Sequence, residues 1–298
     1  MTPEPLRKRC VFSKTLENLT LTVPPPATMA WRAVVRVLRS HSQPLHDLST
    51  VLFPSPCRCC GATLLRISAA PVCDECLARM APQTTLNCTR CGEALGAESD
   101  RMRPMECAAC RLATPPFVRA VAYGLYQDEM RRALHLLKYE RVVPVAKMLA
   151  EKLAVAMLML AGEAPRKMTV IAVPLHPTKE KERGFNQSIL LANAAIGIVR
   201  RSGWELTAEH DLLKRVKNTE SQFFLTPHLR RKNLSGAFAV TDKNTLSGRD
   251  VLLVDDIYTT GATARECSKT LRRAGAKRVW VATLSRAQTE TYVMWKAS

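Results

Sequence analysis

Between Phe117 and Leu284 the apolar residues return in two rhythms. Short runs, AVAYGLY (120–126), MTVIAVP (168–174), GAFAV (236–240), DVLLVDD (250–256) and RVWVATL (278–284), are compact and rich in aliphatic residues, which predicts strands. Longer stretches carry apolar residues at three- and four-residue spacing. DEMRRALHLLKYERVVPVAKMLAEKLAVAMLML (128–160) reads as helix interrupted near Val143–Pro144. NQSILLANAAIGIVRRSG (186–203) reads as a helix ended by Gly203, and RECSKTLRRAGAK (265–277) as one ended near Gly275. Strands alternating with helices predict an α/β fold with a parallel sheet flanked by helices. The longest apolar-rich stretch, LAVAMLMLAG, is about half of the ~18 residues a membrane span needs, so it reads as a core helix.

The rhythm stops at LATPPF (112–117), where Pro115 and Pro116 stiffen the chain and mark a boundary. The predicted organisation is a helical segment at 29–53, a cysteine-rich module at 54–114, the α/β domain at 117–290 and a short tail at 291–298. Residues 1–28 end in three prolines and lack helical periodicity; they read as a flexible tail, or as an over-extended start with Met29 as the real one. They contain no apolar stretch followed by a small-residue cleavage site, so the expected location is cytoplasmic.

Eight of the eleven cysteines form four CxxC pairs: Cys57/Cys60, Cys73/Cys76, Cys88/Cys91 and Cys107/Cys110. A CxxC turn aims two thiolates at one metal, and two turns complete a zinc tetrahedron. Twelve residues separate the first two pairs and fifteen the last two, which suits a zinc ribbon repeated in tandem. Sequential pairing is expected; a cross-braced arrangement, 57/60 with 88/91, is the alternative. Glycine follows Cys60 and Cys91, as a knuckle turn with positive φ requires. Four-thiolate sites leave no open position, so both zinc ions would be structural. Without a secretion signal a disulfide framework is the weaker reading. Cys59 sits inside the first pair as a competing ligand, while Cys10 and Cys267 read as unpaired thiols.

The formal charge of +18 counts these cysteines as neutral; with two four-thiolate zinc sites it becomes about +14. Residues 117–298 hold 30 basic and 17 acidic side chains against 14 and 9 before them, so the excess lies mainly in the α/β domain. Such a surface suits a polyanion or a phosphorylated small molecule. Aromatic content of 5% without basic–aromatic alternation argues against a stacking platform for bases.

The stretch VLLVDDIYTTGAT (251–263) carries the most specific chemistry. VLLV fits a central buried strand, and ligands bind beyond the carboxyl ends of such strands. Asp255 and Asp256 stand at that end, where carboxylates accept from sugar hydroxyls directly or through magnesium. Thr259, Thr260, Gly261, Ala262 and Thr263 then lead into a helix, whose first amides and threonine hydroxyls form a nest for phosphate.

This pattern resembles the phosphoribosyl pyrophosphate (PRPP) signature of type I phosphoribosyltransferases. IAVPLHPTKEKERGFNQSILLA (171–192), YGLYQDEMRRALHLLKY (123–139) and LLKRVKNTESQFFLTPHLRRKNLSGAF (212–238) narrow it further. They resemble successive segments of the ComF family of competence-associated proteins, in which a zinc ribbon precedes a phosphoribosyltransferase domain. The resemblance covers most of residues 50–290. It implies a pyrophosphate-contacting loop at Val173–His176, including Leu175 and His176, with Lys179 and Arg183 adding positive charge. Lys179 stands where the family often has arginine. It also implies a flexible catalytic loop at 214–235 with Arg215, Lys217, Gln222, Arg230 and Asn233 as its polar candidates. Phe185 and Asn186 read as packing and turn residues, and His135 as a packed helical one.

Breaking the bond from C1 to pyrophosphate builds positive character on the sugar and negative charge on the leaving group. That calls for magnesium, nearby cations and exclusion of water rather than a strong nucleophile. Three readings follow: a magnesium-dependent phosphoribosyltransferase (pentosyl transfer) of unknown acceptor, an accessory protein binding single-stranded DNA or competence and recombination partners, and a PRPP sensor. The resemblance implies a link to natural competence and DNA uptake.

Overall fold

A computed structural model describes residues 55–64, 70–84, 86–95, 105–218 and 233–288; all lie in one compact unit, Leu48–Ser298. The segments expected at 1–28, 29–53 and 291–298 lie outside the described residues, as do Gln222 and Arg230. Five strands form one sheet: β1 (Ala120–Leu125), β2 (Lys167–Ala172), β3 (Glu205–Ala208), β6 (Asp250–Tyr258) and β7 (Arg278–Arg286). Their order is β1-β7-β6-β2-β3, and every pair is parallel. Parallel neighbours need crossovers, and helices supply them. On the described residues the fold is the α/β architecture that the alternation predicts.

The central strand shows why. In β6, Leu252 and Val254 face one side and Val251 and Leu253 the other, all fully buried. Leu252 and Val254 pack in one core with helices α3 (Asp128–Lys138), α4 (Val145–Leu158) and α6 (Gln187–Val199). Val251 and Leu253 pack with helix α8 (Ala262–Arg273) and the second cysteine cluster. Burial on both faces explains the unbroken apolar runs. The break near Pro144 is a turn between α3 and α4, where Arg141 takes a φ of 56°.

Three elements depart from the sequence pattern. Edge strand β3 buries only Leu206, too weak a signal to stand out. The GAFAV stretch gives β5 (Phe238–Val240), which leaves the main sheet and pairs antiparallel with β4 (Leu213–Arg215). Arg215, expected in a flexible loop, therefore lies on a strand. A short helix, α5 (Pro177–Arg183), follows β2; proline opens it, His176 caps it and Gly184 closes it at a φ of 85°.

The cysteine-rich module is a structural repeat. Pro56 bridges Thr63, and Asn87 bridges Ala94. Gly61 donates to the Cys57 carbonyl and Gly92 to the Cys88 carbonyl, both at 2.8 Å, with φ of 80° and 74°. Helices α1 (Asp74–Arg79) and α2 (Ala108–Leu112) complete the two halves.

Leu253→Ala is expected to lower the unfolding free energy by about 3 kcal/mol, since the site is enclosed on both sides and collapses poorly. Chemical denaturation measures it; a loss below about 1 kcal/mol would contradict this packing.

Candidate active site and metal centres

The sequence places two like charges side by side at the carboxyl end of β6, and the two carboxyls stay in direct contact there while taking different partners. Asp256 turns to the α3 side, where Lys138 Nζ forms an ion pair with its Oδ2; both side chains are largely buried. Burial works against the charge of Asp256, but Lys138 overrides it and holds the carboxyl below the usual range. Burial likewise opposes the charge on Lys138, and Asp256 keeps it above the usual lysine range. Asp255 accepts a 3.0 Å hydrogen bond from Ser188 Oγ and a 2.9 Å bond from the Asp256 amide. Burial, and then the charge of Asp256, push the Asp255 carboxyl well above its ordinary value. The surroundings thus favour Asp256 as the anion and Asp255 as the neutral acid.

Beyond Tyr258 the chain turns through Thr259 and Thr260 to Gly261, which takes a φ of 74° as the cap of α8. A Cβ at Gly261 would stand 2.1 Å from the Tyr258 hydroxyl, so only glycine fits. The first bond of the helix is Arg265 N–H to the Gly261 carbonyl, 2.9 Å, so the amides before it have no acceptor within the helix. The buried Thr260 Oγ1 has no partner among the described residues. A narrow cleft runs past Val173, Asp255, Thr259, Gly261, Thr263 and Thr283. A helix N-terminus beside this cleft suits an anion.

The cysteines gather as two sets, Cys57, Cys60, Cys73 and Cys76, and Cys88, Cys91, Cys107 and Cys110, with all sulfurs of each set within 4.8 Å. Sulfur separations of 3.9 Å (Cys57–Cys76), 3.7 Å (Cys60–Cys73) and 3.6 Å (Cys91–Cys107) match the ~3.8 Å edge of a tetrahedron with 2.3 Å zinc–sulfur bonds. Either set could hold zinc. The grouping is sequential, not cross-braced. Cys59 stands outside both sets; it is buried, and burial pushes its thiol up to about 11.

Comparison with known proteins fits this geometry. A family model described as phosphoribosyl transferase domain matches residues 141–297. The DNA utilization protein YhgH of Salmonella typhi is 31% identical over 236 residues, 78% of this chain and 97% of that protein. Competence protein F of Haemophilus influenzae is 31% identical over 204 residues, 67% and 84% of the two chains. The chain belongs to the ComF family. Competence protein ComFC of Bacillus subtilis is 30% identical over 110 residues, 37% of this chain and 40% of that one. Among solved structures, glutamine PRPP amidotransferase from B. subtilis aligns at 23% identity and a TM-score of 0.31, over 50% of this chain and only 30% of that enzyme's length. Overlap at that score carries no argument.

In this ComF chain the remaining candidates divide. Arg183 lies near enough to Asp256 to favour its charge, and its guanidinium stands 5.6 Å from the Tyr139 ring. Lys179 is one helical turn earlier on α5, on the same face. His176 Nδ1 accepts from the Thr178 amide, 3.4 Å, so the ring caps α5, and Leu175 before it is half-buried. Arg215 lies near Asp255 and the buried Cys267 thiol, and burial pushes its pKa below the usual arginine range. Lys217 is exposed and donates to the Ser235 carbonyl, 2.9 Å. Asn186 is a turn residue: it donates to the Val173 carbonyl, 3.0 Å, and caps α6. His135 is not packed; it lies exposed on α3 against Tyr139.

Lys138 and Ser188 escaped the reading of the sequence. One signal pointed to Lys138, which follows Leu134 by four positions on the buried stripe of α3.

Lys138→Met should leave Asp256 buried and unpaired, at a cost of about 3 kcal/mol at neutral pH. Because the folded pKa of Asp256 is depressed, the pair's contribution is present above the unfolded value near about 3.9 and fades as pH falls through the folded one. The difference between variant and wild type, followed by denaturation from pH 7 to pH 3, should shrink. A loss that is constant with pH would contradict the pairing.

Proposed function

We propose that this ComF protein binds magnesium–PRPP and transfers its phosphoribosyl group to an acceptor. The observation that carries the reading is the pairing, on one strand–turn–helix, of the Asp255–Asp256 acids with the Gly261 anion loop. The acids hold the ribose hydroxyls and the magnesium, and the 5-phosphate sits on the amides and hydroxyls of Thr259, Thr260, Gly261, Ala262 and Thr263. Magnesium, when bound, neutralises charge on the departing pyrophosphate. Leu175, His176, Lys179 and Arg183 face that leaving group, and Arg215 and Lys217 bring further positive charge to the site. Zinc fills both four-cysteine sets as a structural ion.

The acceptor enters over the cysteine-rich module. A hollow of about 160 Å³ lies where α1 meets β1 and α3, lined by Met80, Gln83, Gln127, Glu129 and Met130 among others. Its mixed lining, methionines and amides beside the Arg79–Glu129 pair, suits a small polar acceptor.

A second reading makes PRPP a ligand in a DNA-handling role, with single-stranded DNA or competence and recombination proteins as partners. It is favoured by the formal charge of +18 and by the relatives named for DNA utilization and competence. In this role binding to single strands should weaken steeply with salt. No helix among the described residues is long and apolar enough to cross a membrane.

Calorimetric titration of magnesium–PRPP into the zinc-loaded protein separates these cases when joined to an assay of pyrophosphate release. Binding is expected in the wild type and should be lost in the Asp255→Asn/Asp256→Asn variant. Affinity should rise with pH, since magnesium takes Asp255 as the carboxylate and its raised pKa makes binding expel a proton. Binding without pyrophosphate release across candidate acceptors would favour the second reading. Wild-type protein that does not bind would refute both.

A further inference from the structure

Arg286 ends β7 between β1 and β6, and it is 3% exposed. A buried guanidinium needs acceptors for five donors. Arg286 finds three in and beside the second cysteine cluster, while its Nε has no partner among the described residues: Nη1 donates to the Cys91 carbonyl at 2.5 Å, and Nη2 lies 3.7 Å from Cys91 Sγ and pairs with Glu93. On its other side the guanidinium stands 4.4 Å from the centre of the Tyr258 ring. The hydroxyl of that ring fills the space that a side chain at Gly261 would occupy. A second arginine repeats the link from the helix side. Arg265, in the first turns of α8, donates to the Ala113 carbonyl at 2.8 Å and reaches Cys110 Sγ at 3.9 Å.

The charge balance explains two arginines here. Four thiolates around one zinc carry a net charge of −2, which is costly to bury and is offset by two guanidinium groups. The first cluster is built differently, with Cys60 exposed. Groups that donate to metal-bound sulfur also fix its position, and losing one typically weakens metal binding 10- to 100-fold.

We infer that Arg286 is a positioning residue joining the second four-cysteine metal site to the Thr259–Thr263 anion loop through Tyr258, so that metal at the one holds the geometry of the other. Arg265 supports the same link through α8. The first metal site is outside this coupling. The identity of the anion rests on the PRPP reading above; the coupling itself does not.

The test strips zinc stepwise from the full chain with a chelator. Native mass spectrometry counts the ions, and hydrogen exchange follows the amides of 259–264. The first zinc lost should come from the exposed cluster and leave loop exchange unchanged. Loss of the second should speed it at least tenfold. In Arg286→Met the second zinc should leave at least tenfold faster, with the loop deprotected. Arg286→Lys, which keeps charge but not the fork, should fall between. Should Arg286→Met fail to fold, the stripped wild type and Arg265→Gln carry the same comparison. Loop exchange that ignores the second zinc, or follows the first, overturns the inference, as does a protein purified without zinc. Coupling without any magnesium–PRPP binding refutes the ligand reading alone.

Discussion

Two carboxylates on consecutive residues, at the end of a strand buried on both faces, set the terms for everything around them. Charges so placed repel, and burial penalises each. The chain resolves this by giving the two acids different partners. Asp256 is neutralised by Lys138, while Asp255 is held by Ser188 and by its neighbour's amide. The pair is left asymmetric, one acid favoured as the anion and the other as the neutral acid. Removing the lysine would return the problem unsolved, which is why a helix 118 positions away in sequence belongs to the site.

The same strand end holds the anion loop, and the loop depends on its surroundings in turn. Tyr258 can pack against the turn because Gly261 has no side chain to fill that space. Tyr258 is flanked by Arg286 at 4.4 Å and by Phe117 in an edge-on contact at 6.4 Å. Arg286 anchors in the second cysteine cluster. The cysteine-rich module is therefore joined to the sheet by buried charge and aromatic packing rather than by a linker alone.

Much of this was legible in the sequence, for physical reasons. The runs around Leu253 and Val281 are strands because burial on both faces demands unbroken apolar residues. The CxxC spacings imply thiolate pairs, and VLLVDDIYTTGAT carries strand, acids, turn glycine and helix start in thirteen residues. What escaped were features made by distant parts of the chain. Ser188 lies 67 positions from Asp255, and Arg286 lies 195 from Cys91. No local pattern announces such partners, since a buried arginine and a surface arginine look alike in a string. The short strands β3 and β4 escaped too, because four and three residues carry too little periodicity. Arg215 was read as a mobile loop residue, whereas pairing with β5 puts it on a strand.

The account stands on one claim, that the acids and the loop after β6 form a single phosphoribosyl site. Amide chemical shifts test it most directly, with ribose 5-phosphate and then magnesium–PRPP added to isotope-labelled, zinc-loaded protein. Ribose 5-phosphate should shift the amides of Thr259–Thr263 first, and magnesium–PRPP should add shifts at Asp255, Asp256 and the α5 region. Shifts clustered elsewhere, or none at the loop with ligand bound, would contradict it.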